Sequence, residues 1–233
     1  MKQWWHTTPS LARKKVIEMD VKFKKNVIIR GKITLKTGMH IGGLKDSIKI
    51  GGIDSPVITI ETMQDNFTKN EVPYIPGSSL KGKMRRLITN IYGSEYKNGL
   101  IDKVFGTSKE KEKNDMNVTR AVFRDAYMEG NFSLDDVTEI KGENMIDPVT
   151  SKANPRFIQR VIPGVKFNYE IILTIFEGDS ENDMLDLIKE GFKLIADSYI
   201  GGNGTRGYGR IDYTFEIAAE RDINYYENLA KSD

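Results

Sequence analysis

The sequence contains no cysteine, and its only histidines are His6 and His40. The absence of cysteine excludes disulfide scaffolds, thiol nucleophiles and cysteine-ligated zinc sites. Two histidines are too few for a multi-histidine metal site or for a two-histidine acid–base nuclease within one chain. A chain without cysteine is compatible with a reducing compartment, and we expect the protein to be cytoplasmic.

Long apolar segments are also missing. No run approaches the ~18 residues that a membrane-spanning helix requires, so we do not expect a membrane protein. The first 26 residues contain no continuous apolar segment of the kind found in secretory signals. With 39% hydrophobic and 29% charged residues over 233 positions, the composition is that of a globular protein. This length fits one compact domain, or one core with large insertions.

Positive charge is concentrated in two places, although the net charge is only +2. Residues 1–30 contain eight Lys or Arg and two acids, and residues 77–90 contain four Lys or Arg and no acid. A basic face of this kind can bind phosphates. Ordinary solvated surface charge is the alternative interpretation, and charge asymmetry by itself leaves both open.

Hydrophobic periodicity predicts four strands and two helices. Alternation favours strands at 27–36, 167–175 and 211–217, and β-branched residues favour a short strand at 118–124. A helix is predicted after Ser78 or Ser79, either of which could cap it, with an apolar face made of Leu80, Met84, Leu87, Ile88 and Ile91. A second helix is predicted between Leu185 and Tyr199. The resulting order is β-α-β-β-α-β.

This order is typical of an α+β, ferredoxin-like fold, which RNA-recognition motifs also use. We predict a domain at 27–217, preceded by an N-terminal extension at 1–26 and followed by a C-terminal tail at 218–233. The chain is longer than the minimal fold, and the surplus forms insertions at 37–76, 97–117 and 129–165. Insertions of this length are usually functional or disordered. Within the last one, residues 138–164 are interpreted as an excursion or hairpin.

Two glycine-rich motifs suggest a nucleotide site at first sight. Residues 77–83 match a phosphate-binding loop up to Lys83, but Met84 stands where a Mg²⁺-binding hydroxyl is needed, so a nucleotide hydrolase is not expected. A helix N-terminus followed by lysines still favours a phosphate ligand. Residues 202–207 match a dinucleotide pattern, but this segment follows a predicted helix and precedes a strand, the reverse of the required context. The hypothesis for this segment is a flexible loop whose backbone approaches a ligand closely.

Asp54 and His40 are the candidates for chemistry. Asp54 precedes Ser-Pro in a glycine-rich segment, where an aspartate often forms a turn, but together with Asp46 it could bind a hard cation through oxygen ligands. His40 lies before two glycines, where it could act as a base or hydrogen-bond within a turn.

Six segments in this order carry a family resemblance. They are Thr37–Gly43, Ile50–Val57, Ile75–Arg85, Phe123–Ala126, Ala153–Arg156 and Gly201–Arg210. Together they closely resemble the family of third subunits of the Csm complex, which form the backbone of type III-A CRISPR effectors and belong to the RAMP superfamily. The resemblance covers about residues 27–217.

The resemblance implies a modified RNA-recognition fold with a lid and a thumb hairpin, the latter matched by residues 138–164. It also implies an antiviral role in which copies form a helical filament along one guide RNA, together with other Csm subunits. Each copy would make one cut in a complementary target RNA, with Mg²⁺ or Mn²⁺ required. The catalytic, metal-binding aspartate of the family is matched by Asp54. The resemblance places the RNA-binding residues at His40, Lys45, Ser79, Lys81, Lys83, Arg85, Arg156, Arg206 and Arg210.

Two other functions remain compatible with the sequence. One is a non-catalytic RNA-binding scaffold, because the same loops and basic helix would suffice for it. The other is a metal-independent ribonuclease that processes guide RNA, with His40 as its candidate base. The chain also departs from the family pattern, because residues 1–26 have no counterpart, Pro148 stands in place of a common arginine, and Gln159 stands in place of a common glutamate.

Overall fold

A computed structural model describes residues 22–43, 53–63, 69–107, 118–146 and 150–229. The hypotheses about Lys45, Asp46 and Pro148 fall outside these residues, as does nearly all of the 1–26 extension. None of the helices in the described part of the chain is long and apolar enough to cross a membrane.

The secondary structure follows the chain in a regular order. The strands are β1 (Phe23–Leu35), β2 (Thr59–Met63), β3 (Lys69–Ile75), β4 (Ala121–Phe123), β5 (Ala126–Met128), β6 (Thr138–Ile146), β7 (Ala153–Val161), β8 (Lys166–Phe176), β9 (Ile211–Tyr213) and β10 (Glu216–Asp222). The helices are α1 (Gly77–Tyr92), α2 (Leu100–Phe105), α3 (Leu134–Val137), α4 (Glu181–Asp197) and α5 (Ile223–Leu229).

The main sheet confirms the predicted β-α-β-β-α-β fold. Strand β1 lies between β8 on one side and β9 with β10 on the other, and β8 in turn pairs with β4 and β5. All of these pairings are antiparallel, and they give the strand arrangement of the ferredoxin-like fold. Strands β3 and β2, from the first insertion, extend the sheet beyond β5.

One face of the sheet forms the core with α1 and α4. On β1 the residues Ile29, Ile33 and Leu35 are buried, and β8 alternates in the same way, as the prediction required. Helix α4 contributes Phe192, which is fully buried against Tyr169. Each fully buried aliphatic or aromatic side chain contributes roughly 1.5–3 kcal/mol of transfer free energy. This packing holds α1 in place.

The start of α1 differs from the prediction of a serine cap. The helix begins at Gly77, after Pro76, and no side chain at its own N-cap position bonds to it. The carboxylate of Asp125, which follows β4, accepts a hydrogen bond from the Gly77 N–H at 2.8 Å. The cap therefore comes from a residue remote in sequence, and local pattern could not reveal it. A second difference is Ile91, which was predicted on the apolar face but is 55% exposed.

The other predicted strands are modified at their ends. The strand predicted at 118–124 is reduced to β4, and the strand predicted at 211–217 is split into β9 and β10 at Thr214 and Phe215. The break has a physical cause, because the Thr214 carbonyl accepts a hydrogen bond from the Tyr169 hydroxyl at 2.7 Å. Regular structure also extends beyond the predicted core, since β1 begins at Phe23 and α5 lies within the predicted tail.

The excursion predicted at 138–164 is a β-hairpin, formed by β6 and β7 in antiparallel register. Its base is attached to the rest of the molecule by an antiparallel bridge between Met39 and Val161. Since β6 and β7 form their own two-stranded sheet, the hairpin is separate from the main sheet. We call residues 138–161 the hairpin below.

Candidate nucleic-acid interface and cleavage site

Asp54 lies beside the outer edge of the hairpin. The Phe157 N–H donates to its Oδ2 at 2.7 Å, and the Asp54 N–H donates to the Phe157 carbonyl at 3.0 Å. The next residue, Ser55, forms a parallel bridge with Ile158. These contacts satisfy backbone groups that the edge strand β7 would otherwise leave unpaired. The Asp54 side chain is exposed, yet its orientation is fixed by the hairpin.

Gln159 joins the Asp54 segment to the hairpin from inside. Its side chain is 7% exposed; its Oε1 accepts from the Val57 N–H at 3.1 Å, and its Nε2 donates to Thr138 Oγ1 at 3.2 Å. Its backbone N–H donates to the Ser55 carbonyl at 3.0 Å. Sequence reasoning noted this residue only as a departure from the family pattern. Its buried amide has both donor and acceptor partners, which a buried polar group requires.

His40 connects strand β7 of the hairpin to the glycine-rich loop at 201–209. Its Nδ1 lies 2.7 Å from the Gln159 carbonyl oxygen. A carbonyl can only accept, so we assign the proton to Nδ1, which leaves the lone pair of the neutral ring on Nε2. The His40 carbonyl accepts from the Gly202 N–H at 2.7 Å. His40 therefore has a structural function, and within the part of the chain that the structure describes we find no hydrogen bond to its Nε2.

Two glycines of the loop are required by the fold itself. A Cβ at Gly204 would overlap the ring of Tyr199, and one at Gly209 would meet the Ile200 carbonyl. Gly209 also has a φ of 71°, which disfavours other residues. The density of glycine in this segment thus reflects close packing as well as any approach to a ligand.

Tyr208 attaches the glycine-rich loop to the hairpin. It is 1% exposed, and its hydroxyl donates to Glu143 Oε1 at 2.7 Å. Its ring centroid lies 4.7 Å from Lys141 Nζ and 4.9 Å from the Arg160 guanidinium carbon, which is the distance of a cation–π contact. Burial raises the pKa of Tyr208 to about 12, so the hydroxyl keeps its proton at neutral pH.

Arg206 binds the other oxygen of Glu143, with its Nη1 2.6 Å from Oε2. The hydrogen bond from Tyr208, and then the one from Arg206, lower the pKa of Glu143 below its ordinary value. Two of the RNA-binding residues assigned by resemblance, Arg156 and Arg206, line one cleft of about 420 Å³ with Lys141, Glu143 and Asn144.

The cations of α1 differ in their surroundings. Lys83 Nζ lies 3.3 Å from the centroid of the Tyr199 ring, and burial lowers the pKa of Lys83. Burial, and then the nearby Arg85, lower the pKa of Lys81. Arg85 itself donates to Asp102 Oδ1 at 2.9 Å, which ties it to α2. Lys81 and Lys83 therefore carry positive charge with no ion pair among the described residues, whereas that of Arg85 is partly neutralised.

The predicted site residues that the structure describes lie on neighbouring parts of the fold: α1, the glycine-rich loop, the hairpin and the segments of His40 and Asp54. The ring of Tyr199 lies against Lys83 of α1 and also packs against Gly204, so α1 adjoins the glycine-rich loop. This loop in turn adjoins the hairpin through Tyr208. The structure brings His40, Asp54, Arg156 and Arg206 to the hairpin. It places Ser79, half-buried, in the first turn of α1 and the side chain of Arg210 in solvent.

Asp54 can provide one ligand to a divalent cation. Its Oδ2 accepts from Phe157, and we find no hydrogen bond to its Oδ1 within the described residues. Over the same residues, no three His, Cys, Asp or Glu side chains are grouped as a metal site requires. The donors among the described residues thus fit a hydrated ion with phosphate oxygens completing its shell.

Comparison with known proteins defines the class to which this fold belongs. The model of the RAMP superfamily matches residues 32–212. A chain of the cryo-EM structure of the type III-B Cmr-beta bound to cognate target RNA superposes with a TM-score of 0.59, at 19% identity, over 85% of this chain and 61% of that one. At this identity the match concerns the fold.

More similar relatives define the family within that class. The "CRISPR system Cms endoribonuclease Csm3" of Methanothermobacter thermautotrophicus is 39% identical, over 90% of this chain and 92% of the relative. The protein of the same name from Streptococcus thermophilus is 40% identical, over 78% and 84% of the two chains. A chain from the crystal structure of the Csm3-Csm4 subcomplex in the type III-A CRISPR-Cas interference complex matches with a TM-score of 0.52, at 28% identity, over 91% of this chain and 87% of that one. The chain belongs to the RAMP superfamily and, within it, to the Csm3 family.

Proposed function

We propose that the protein is the backbone subunit of a cytoplasmic, RNA-guided type III-A effector. In this function it binds guide RNA along its basic region and cleaves complementary target RNA at Asp54 with the help of a divalent cation. The proposal is supported by the endoribonuclease names of relatives that are 39% and 40% identical. The solved Csm3-Csm4 subcomplex supports assembly with other Csm subunits.

The observation that carries the proposal is the position of Asp54. An exposed carboxylate is unfavourable next to RNA phosphates unless a cation lies between them. Here the carboxylate is fixed by the N–H of Phe157, the residue that follows Arg156 of the cationic cleft. A carboxylate fixed at this position supports a role in cleavage, because binding of the RNA backbone does not require it.

The chemistry needs little from the protein, because RNA carries its own nucleophile. The 2′-OH next to the scissile phosphate gives its proton to water and attacks phosphorus in line, and the new P–O bond closes a 2′,3′-cyclic phosphate. The bond to the 5′ oxygen breaks as that oxygen takes a proton from water. The cations of the loop and α1 hold the flanking phosphates, and the hairpin orients the strand, so the reacting atoms are aligned. The Asp54 carboxylate would hold a hydrated cation if one binds here. When bound, Mg²⁺ or Mn²⁺ would neutralise the negative charge that develops on the phosphate.

The face of the hairpin opposite to Lys141, Glu143 and Arg156 supports the assembly of copies along the guide RNA. Ile140, Ile146 and Phe157 are 58%, 66% and 49% exposed. Apolar side chains on an exposed hairpin favour a partner that covers them. In a filament, the neighbouring copy would provide this cover, and target RNA would pass between the copies.

The experiment compares wild-type complex with Asp54→Ala and Asp54→Asn. Assembled complex, guide-complementary RNA and Mg²⁺ are incubated, and cleavage products are separated on a gel. Both variants should cut below detection while their affinity for RNA changes by less than about twofold, since cations and backbone N–H groups provide the binding. Asp186→Asn is the control, because Asp186 is a 74% exposed carboxylate on α4.

Other outcomes would favour the alternatives. EDTA should reproduce the Asp54→Ala result, and the His40→Ala complex should retain measurable cutting. Full cutting in EDTA that depends on His40 would support the metal-independent ribonuclease. RNA binding without any cutting by the wild-type complex would support the scaffold.

A further inference from the structure

The hairpin and the glycine-rich loop enclose the cleft of about 420 Å³ that was described above. Three of its five lining residues are cations: Lys141, Arg156 and Arg206. One lining residue, Glu143, is an acid. Neither Lys141 nor Glu143 has a role in the site derived so far. A concave site with three cations suits a phosphodiester, and the single carboxylate among them requires an explanation.

The geometry of Glu143 is specific. In the hairpin register Glu143 faces Arg156 directly, and such cross-strand neighbours of opposite charge commonly pair. Instead, Glu143 accepts from Tyr208 at 2.7 Å and from Arg206 at 2.6 Å, and no ion pair joins it to Arg156 within the described residues. The carboxylate is therefore directed at the loop. Arg156, which is exposed, retains its charge for the cleft.

The hydrogen bonds that Glu143 accepts from Tyr208 and from Arg206 differ in how easily they can break. Tyr208 is buried, so its bond to Glu143 is part of the packing between loop and hairpin. The Arg206 side chain is 59% exposed, so it can leave Glu143 without exposing apolar surface. After such a departure Glu143 would keep its bond to Tyr208 and its neighbour Lys141, whose Nζ lies 3.6 Å away. The exchange therefore leaves no buried charge without a partner.

We propose that this cleft is a phosphate subsite for the RNA backbone, formed by Lys141, Arg156 and Arg206, and that Glu143 competes with RNA for Arg206. This inference rests on the proposed function, because the ligand is the RNA that the protein binds. In the free protein the carboxylate occupies the guanidinium, which offers two parallel donors to a carboxylate or a phosphate alike. An RNA that places a phosphate in the cleft takes over Arg206. An RNA that does not do so must bind against the competition.

The competition by Glu143 would discriminate RNA that places a phosphate in the cleft from RNA that does not, and it would lower the affinity for RNA only modestly. Exposed ion pairs contribute little, so losing the competitor should strengthen binding by about two- to fivefold. Losing a cation of the subsite should remove one phosphate contact, which for single strands lowers the slope of log K against log salt by about 0.7.

The test uses the full chain and a fluorescein-labelled, single-stranded RNA, with affinity measured by anisotropy over a series of KCl concentrations. Glu143→Gln keeps an oxygen acceptor for the Tyr208 hydroxyl and removes the charge that holds Arg206. It should bind RNA about two- to fivefold more tightly than wild type. Lys141→Ala and Arg156→Ala should bind more weakly, each with a salt slope lower by about 0.7.

The matched control is Glu139→Gln. Glu139 lies on the same strand and the same face of the hairpin, and it binds Arg160 at 2.7 Å. Its removal changes the net charge equally and also releases an arginine, but neither of these residues lines the cleft. Glu139→Gln should therefore strengthen binding clearly less than Glu143→Gln. Circular dichroism and thermal unfolding establish that each variant is folded.

Several results would overturn the subsite. Equal gains for Glu139→Gln and Glu143→Gln would mean that general charge accounts for the effect. Weaker binding by a folded Glu143→Gln would mean that Glu143 supports RNA binding. If wild type binds RNA and the Lys141 and Arg156 variants match it, the subsite is absent while the proposed function stands. If wild type binds no RNA, both proposals fail together.

Discussion

The α/β core is held by apolar packing, whereas the hairpin adds polar contacts to an apolar base that includes Val161. In the core, β1 and β8 alternate buried apolar residues against α1 and α4, and the packing defines the position of the basic helix. The hairpin forms its own two-stranded sheet, and polar contacts join it to remote segments, through Asp54, Gln159 and Glu143. The cations of α1 therefore depend on the core, and the candidate cleavage group depends on the hairpin. Mutations should therefore be able to disturb the α1 cations and Asp54 independently of each other.

The largest effect is expected in the core. Phe192→Ala should lower the free energy of unfolding by about 3–5 kcal/mol, because it leaves a cavity in a fully packed site. Phe192 is fully buried against Tyr169 and stacks on Tyr213. Urea unfolding followed by circular dichroism measures the change. Tyr225→Ala, at a residue 38% exposed on α5, is the control and should change little. A loss below about 1 kcal/mol for Phe192→Ala would contradict the core described here.

The hairpin prediction concerns Gln159. Gln159→Leu should lower the free energy of unfolding by about 1–3 kcal/mol, because the buried N–H of Val57 loses its acceptor. Hydrogen exchange at the Val57 amide should become faster, and target cutting should fall because the Asp54 segment is no longer held. Gln159→Glu retains an acceptor for Val57 and is the matched control. If hydrogen exchange at the Val57 amide stays slow in Gln159→Leu, the hydrogen bond between Val57 and the Gln159 side chain does not hold this segment.

A smaller effect is expected at the junction between β4 and α1. Asp125→Ala removes the carboxylate that accepts from Gly77, and loss of a helix cap costs about 0.5–2 kcal/mol. Asp125→Asn keeps an acceptor at the same place and should retain most of the stability. Thermal unfolding of both variants, with hydrogen exchange in the first turn of α1, distinguishes them. Equal stability of wild type and Asp125→Ala would show that the cap contributes nothing.

The smallest effect separates the cations of α1. Lys83→Ala should lower the salt slope of RNA binding by about 0.7, which corresponds to a change of about threefold between 50 and 200 mM salt. Arg85→Ala should change the slope less, because Asp102 already neutralises part of its charge. Anisotropy titrations over a salt series measure both. A larger change for Arg85 than for Lys83 would mean that the Asp102 pair breaks when RNA binds.

Much of the site was recognisable in the sequence as motifs, and the reasons for its geometry were not. The motif around Asp54 and the glycine-rich loop, together with four other segments, carried the family resemblance, which the comparisons confirm. The sequence showed Gln159 only as a departure from the family pattern and did not single out Glu143, because each acts through partners far away in the chain. Gln159 meets Val57 across 102 positions, and Glu143 meets Tyr208 across 65. Periodicity describes neighbours along one element, so it contains no information about such contacts.

The sequence by itself determined the order of the core elements, since alternation along β1 and β8 and the helical spacing of α1 and α4 are local consequences of burying one face. Tertiary structure decided the rest. It capped α1 with Asp125, divided the last strand at Thr214, and fixed Asp54 against the edge of the hairpin. The physical reason is common to all three, because each backbone N–H needs an acceptor and each backbone C=O needs a donor, and the fold can bring that partner from any distance in the sequence.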